Sequence, residues 1–173
     1  MRRVVIVRHA KSDWSDSSLA DHDRPLAPRG VTALGRMRRH LTGSVPTDLV
    51  LCSSARRARD TLDGIRPALP DGVEVLIEDD IYDANSSSLI DRLRRLDEAV
   101  ASVMLVGHNP ALHDLAVELV GDDRDHDDAA GWEQLVTKFP TGAIATVSVR
   151  AGWADVQPGC AELVDFFTPR PPR

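Results

Sequence analysis

Four short, nearly unbroken apolar runs do most to limit what this chain can become: residues 4–7 (Val-Val-Ile-Val), 49–52 (Leu-Val-Leu-Cys), 73–77 (Val-Glu-Val-Leu-Ile) and 103–106 (Val-Met-Leu-Val). A strand apolar at nearly every position has no face to offer water, so it needs cover on both sides, as in a parallel sheet between helices. The segments between the runs have the period such helices need. Residues 30–41 set Val31, Leu34, Met37 and Leu41 on one side, with Arg36, Arg38 and Arg39 outside; residues 55–69 do the same with Ala58, Leu62, Ile65 and Leu69. Ser86, Ser87 and Ser88 offer caps to a helix through Leu89, Leu93 and Leu96, and Pro110 suits the start of another through Leu112, Leu115, Ala116 and Leu119. The last third changes character: residues 143–150 alternate in part, a turn-rich stretch follows around Gly152, Pro158 and Gly159, and 161–167 is apolar again. The expectation is a three-layer α/β/α sandwich. Its sheet is mostly parallel, and an antiparallel C-terminal hairpin closes one edge. One domain, residues 1–168, is expected, followed by a frayed tail at 169–173.

The chain has 173 residues and a formal net charge of −6. A nucleic-acid or anionic-membrane binder needs a basic face to neutralise phosphate, so neither class of partner is expected, although a local basic pocket is compatible with the total. Cys52 and Cys160 are far apart and fit neither a disulfide framework nor a zinc site. Arg2 and Arg3 do not open an export signal, because the apolar run behind them stops at Arg8. The longest largely apolar stretch, 99–106, is far short of the ~18 residues that span a bilayer. A soluble protein of the cytoplasm is expected; the oligomeric state is left open.

In sheets of this kind ligands bind outside the carboxyl ends of the strands. Arg8 and His9 follow the first run; Cys52 and Ser53 end the second, just before a helix that opens with Arg56 and Arg57; Gly107 and His108 end the fourth. Two histidines and two or three arginines therefore converge from three strand ends. Guanidinium forks match phosphate oxygens and stay charged, while a neutral imidazole is a competent nucleophile toward phosphorus. The arginines and second histidine can stabilise the charge on the equatorial oxygens, so no metal and no cofactor is called for. His22 and His126 lie among carboxylates without the spacing of a third ligand and are expected to face solvent, as is the acidic loop 122–128. His40 and His113 fall on helices, Lys11 reads as a solvated loop residue, and Trp14, Trp132 and Trp153 could be core anchors or partner contacts.

Three segments in order then carry a resemblance. Val5-Ile-Val-Arg-His-Ala-Lys11 resembles the Arg-His-Gly signature of the histidine phosphatase superfamily, with Ala10 in place of the glycine. Ser53-Ser-Ala-Arg-Arg-Ala-Arg-Asp-Thr61 is similar to its Ser-x-x-x-Arg-Ala-x-x-Thr segment, and Val106-Gly-His-Asn-Pro110 to the segment bearing its second histidine. Asp23-Arg-Pro-Leu26, Pro28-Arg-Gly30 and the short middle region resemble the SixA-type phosphohistidine phosphatase branch. The resemblance implies the phosphoglycerate mutase-like fold, transient phosphorylation of His9, and Arg8, Arg57 and His108 around the phosphoryl group, with Arg56 and Arg59 solvated. It places Arg24 at the pocket rim and, in the stretch holding Asp79 and Asp80, makes Asp83 after Tyr82 the leaving-group acid. The implied substrate is a phosphorylated protein carrying phosphohistidine. A small phosphorylated molecule cleaved by a phosphomonoesterase is the alternative, and an idle phosphate-binding module a further one; a mutase fits least, since the short chain offers little lid.

Overall fold

The computed structural model describes residues 1–44, 46–122 and 128–170. The elements are β1 (Arg2–Arg8), α1 (Pro28–Leu41), β2 (Leu49–Ser53), α2 (Arg56–Ile65), β3 (Glu74–Glu78), α3 (Asp79–Tyr82), α4 (Ser86–Arg94), β4 (Ser102–Gly107), α5 (Ala111–Val120), α6 (Ala129–Thr137), β5 (Ile144–Val149) and β6 (Ala161–Phe167). Among the described residues six strands form one sheet in the order β3-β2-β4-β1-β5-β6. The first four are parallel, and β5 and β6 add to β1 antiparallel, which is the mixed three-layer architecture expected.

Side chains alternate across the pleat, so each buried strand feeds two cores. Val4, Ile6, Leu51 and Leu105 pack against α4, α5 and α6, while Val5, Val7, Val50, Cys52 and Met104 pack against α1 and α2. β3 departs from the expectation of full cover. It lies at the sheet edge, paired only with β2, and Ile77 is 48% exposed.

Helix limits follow local chemistry. α1 starts at Pro28, whose missing N–H costs nothing in a first turn, and Val31 faces solvent rather than the core. α2 stops at Ile65 and passes into a 3-10 turn at Arg66–Ala68, because Pro67 cannot continue the amide ladder. The cap of α4 is Asn85, not a serine: its side chain accepts from the Ser88 amide while the Ser88 hydroxyl accepts from the Asn85 amide. Leu96 lies beyond the end of α4 but is still buried. Neither α3 nor α6 is expected from periodicity or capping; Asp128 starts α6 by accepting from the Gly131 amide. The rest of the acidic loop, residues 123–127 with His126, lies outside the described residues, as do 171–173. The expected fraying does not begin at 169: Pro169 is buried and its carbonyl accepts from Arg36 Nη1 at 2.8 Å. Trp153 is fully buried, Trp132 packs on the rim of the core, and Trp14 is exposed.

The chain leaving β1 is clamped onto α1. The Ala27 amide donates to the Lys11 carbonyl at 2.8 Å, and a Cβ on Gly30 would stand 2.2 Å from that same oxygen. Gly30→Ala therefore forces backbone apart and should cost about 1–3 kcal/mol, a loss of several degrees in thermal midpoint. Thermal unfolding checks this, and an unchanged midpoint would remove the close approach.

Candidate active site

The strand ends converge as expected. Arg8 is in register with Gly107, and the His9 amide donates to the Gly107 carbonyl at 3.1 Å. From the other side the Gly142 amide donates to the His9 carbonyl at 3.0 Å. With its backbone held on both flanks, His9 is 6% exposed. Its Nδ1 lies 2.7 Å from the Ala10 carbonyl, an acceptor only, so Nδ1 carries the proton and Nε2 carries the lone pair. Ala10 takes an ordinary negative φ, so the missing glycine costs nothing here.

One hydroxyl ties this segment to α2. The Thr61 side chain accepts from the Ala10 amide at 2.9 Å and donates to the Arg57 carbonyl at 2.7 Å. The Thr of the second motif is thus the link between the loop that carries His9 and the helix that carries Arg57. Arg57 is nearly buried; its Nη1 donates to the Asp21 carbonyl at 2.7 Å and its Nη2 to Asp21 Oδ2 at 3.1 Å. Arg56 and Arg59 face solvent, as expected, with Arg56 beside Asp60.

His108 sits over Ser53, its Nε2 2.7 Å from the hydroxyl, and its ring centroid is 5.1 Å from that of His9. Its Nδ1 has no partner among the described residues. Arg8 Nη1 donates to the Phe139 carbonyl at 2.9 Å, leaving buried Nε unpaired among the described residues. Burial pushes the His9 pKa down to about 3, helped by the positive charges around it and opposed by the Ala10 hydrogen bond. Burial, then the Arg57 charge, brings His108 down to about 4. Two neutral imidazoles thus lie beside two guanidiniums, a set that can attack and cradle an anionic phosphorus centre.

Sequence reasoning missed Asp21, and took His22 for a solvent-facing residue. A bridge between Ser12 and Leu26 folds residues 13–25 back over the strand ends, and the turn Asp21–Asp23 lands against α2. Asp21 receives Arg57, Arg24 Nε at 3.6 Å and the Tyr82 hydroxyl at 2.6 Å. The Tyr82 hydrogen bond is the main cause holding the Asp21 carboxyl below its usual range, and the same bond raises the Tyr82 phenol. His22 is half-buried, with Nε2 2.9 Å from the Ser54 hydroxyl and its ring edge-on to Tyr82. Arg24 meets the cluster through Asp21, and its guanidinium lies 3.9 Å from the ring centre of exposed Trp14. The available signal was the dense run of Asp21, Asp23 and Arg24; its folding back could not be read from spacing.

Asp83 is not brought to this cluster. It is exposed and lines a separate cavity with Glu78, Asp79, Asp80 and Arg92, while Tyr82 turns its ring to His108. No three His, Cys, Asp or Glu side chains converge as a metal-ligand set among the described residues. His40 pairs with Asp165, and His113 meets the Leu135 carbonyl.

Residues 4–92 match the family model for the histidine phosphatase superfamily, branch 1. An uncharacterised protein of Mycobacterium tuberculosis (strain H37Rv) is 41% identical over 165 residues, covering 95% of this chain and all of that one. A candidate phosphohistidine phosphatase SixA from Nakamurella multipartitia superposes with a TM-score of 0.81 at 32% identity, covering 97% of this chain and 96% of that one. Another from Agrobacterium tumefaciens gives 0.79 at 29%, with 96% and 97% covered. The chain belongs to the histidine phosphatase superfamily and is a phosphatase of its phosphoglycerate mutase-like fold. Within that superfamily it falls in the SixA-type branch.

Two outcomes follow from the geometry. Thr61→Val leaves the Ala10 amide and Arg57 carbonyl without their shared partner and should cost about 1–3 kcal/mol. Because Thr61 positions but does not touch the phosphoryl group, phosphatase kcat should fall in the same variant while Thr61→Ser retains most of it. The second concerns pH. His9 and His108 stay neutral in the fold, whereas in the unfolded chain they bind protons near their ordinary value of 6.5. The unfolded state then holds more protons as pH falls from that value toward about 4, so stability must drop across this window and be fully present above it. Titration of the His9 and His108 imidazole proton resonances near 6.5 would contradict this.

Proposed function

We propose that this chain is a metal-independent phosphatase that works through a covalent phosphohistidine on His9 and takes protein phosphohistidine as its substrate. His9 Nε2 attacks phosphorus in line, a P–N bond forms as the bond to the leaving nitrogen breaks, and the leaving imidazole departs carrying a proton. Water then attacks the phosphoryl group, releasing inorganic phosphate and returning the lone pair to Nε2. Arg8, Arg57 and His108 stabilise the charge on the transferring group, and Arg24 shapes the rim through Asp21.

The observation that carries the choice of substrate is the state of the nearest carboxyl. Asp21 is ion-paired and held in its ionised form, which makes it a poor proton donor at neutral pH. Asp83, the acid implied by the family resemblance, is exposed and faces another cavity. An alkoxide cannot leave well without an acid, whereas the phosphohistidine ring takes a proton on the nitrogen not bonded to phosphorus before the P–N bond breaks, and departs as neutral imidazole. The SixA likeness supports the same reading. Cytoplasmic residence belongs to the proposal, supported by the free thiols Cys52 and Cys160. A helix long and apolar enough to cross a membrane is absent among the described residues.

His9→Ala should abolish turnover with an unchanged fold, and intact mass after brief exposure to a phosphohistidine donor and an alkaline quench should show a phosphoryl adduct on wild type alone. Arg57→Ala should lower kcat by about 10²–10³. Asp83→Asn should leave turnover of the phosphohistidine donor intact. Faster turnover of a simple alkyl phosphate than of the phosphohistidine donor would instead assign a small-molecule phosphomonoesterase. Binding without adduct or phosphate release would assign a binding module.

A further inference from the structure

Beside Arg8 and Lys11, and lined by none of His9, Arg57 and His108, lies a cavity of about 560 Å3. It gathers Arg8 and Lys11 from the end of β1, Arg29 and Arg36 from α1, Lys138 from the end of α6, and Arg170 beyond β6; no carboxylate lines it. None of these six cations is ion-paired among the described residues. Arg36 spends one nitrogen on the Pro169 carbonyl and Arg8 one on the Phe139 carbonyl, which fixes both while leaving their charge uncompensated. In a chain of net charge −6, surplus carboxylates were available to relieve this repulsion. Single-sign charge in a concave wall focuses the field and concentrates counter-ions.

We propose that this cavity is a second anion site that binds an oligophosphate, a compact chain of phosphate groups either free or carried by a nucleoside. Its size suits a small molecule, since ligand cavities run to about 300–1,000 Å3. Its walls come from four separate parts of the fold, so the charge is arranged around a volume and not spread on a flat face where an acidic protein would dock. Guanidinium forks from Arg29, Arg36 and Arg170 can each take two phosphate oxygens, with Lys11 and Lys138 as point charges. Arg8 borders this cavity and also stands beside His9, so the two anion sites share one arginine. Two anions drawing on one guanidinium repel each other, and an oligophosphate must therefore weaken phosphate binding at His9, with equal reciprocal weakening.

The test uses the His9→Ala full chain, so that binding is read without turnover and stands or falls apart from the covalent mechanism. Calorimetric titration with tripolyphosphate and with ATP, at fixed ionic strength, should show one site each. Equal affinities locate all recognition in the phosphates; tighter ATP adds the nucleoside. The double variant Arg29→Glu/Lys138→Glu, which alters two exposed residues, should weaken tripolyphosphate at least tenfold while keeping the thermal midpoint. Arg38→Glu/Arg66→Glu changes the net charge equally outside the cavity and should leave affinity within about twofold. Absence of binding at millimolar tripolyphosphate, or equal weakening in both double variants, would overturn the proposal. So would an Arg29→Glu/Lys138→Glu enzyme, with His9 restored, whose only defect is a higher KM for a phosphohistidine protein, which would make the basic wall a protein contact.

Discussion

The site depends on β1 being paired along both edges. Its parallel partner β4 and antiparallel partner β5 share the strand's amides and carbonyls, and the pairing carries on past the last residue of the strand. The His9 amide is still bonded to Gly107 and its carbonyl to Gly142. A side chain at a loop tip would sample many positions; here the sheet has already removed that freedom from the His9 backbone. Thr61 extends the constraint sideways by joining Ala10 to the helix that presents Arg57.

Rigidity alone would not make His9 reactive. Burial and three neighbouring cationic or cation-forming groups strip the proton from its ring, so the lone pair is available well below neutral pH. The same surroundings would be costly for two guanidiniums without an anion. Asp21 supplies it, presenting both its carbonyl and its carboxylate to Arg57. Tyr82 and Arg24 contact the same carboxylate and help hold it in place.

Charge is sorted across the molecule in the same way. Carboxylates dominate the total, yet none lines the cavity beyond Arg8, whereas the cavity at segment 78–83 mixes four carboxylates with Arg92 and Arg95. The single-sign wall beside Arg8 carries a self-repulsion that the mixed cavity avoids.

The apolar runs determined the sheet and its three layers, because a strand without a polar face has few ways to hide. The residues closing those runs determined His9, Arg8, Arg57 and His108, because a strand end fixes a side chain's position from local sequence alone. Fully buried strands could not be told from β3, since only the neighbour count separates an edge from a centre. α6 was hidden by weak amphipathic patterning, and the exposure of Val31 by an apolar period that does not say where the core ends. Asp21 and His22 came to the site through a segment that folds back, Tyr82 through the end of α3, and Asp83 was carried past it by one residue. The six cations of the basic cavity are scattered from residue 8 to 170. Contacts between residues so far apart depend on how layers and loops pack in space. No local period or spacing encodes that, so tertiary structure alone decided them.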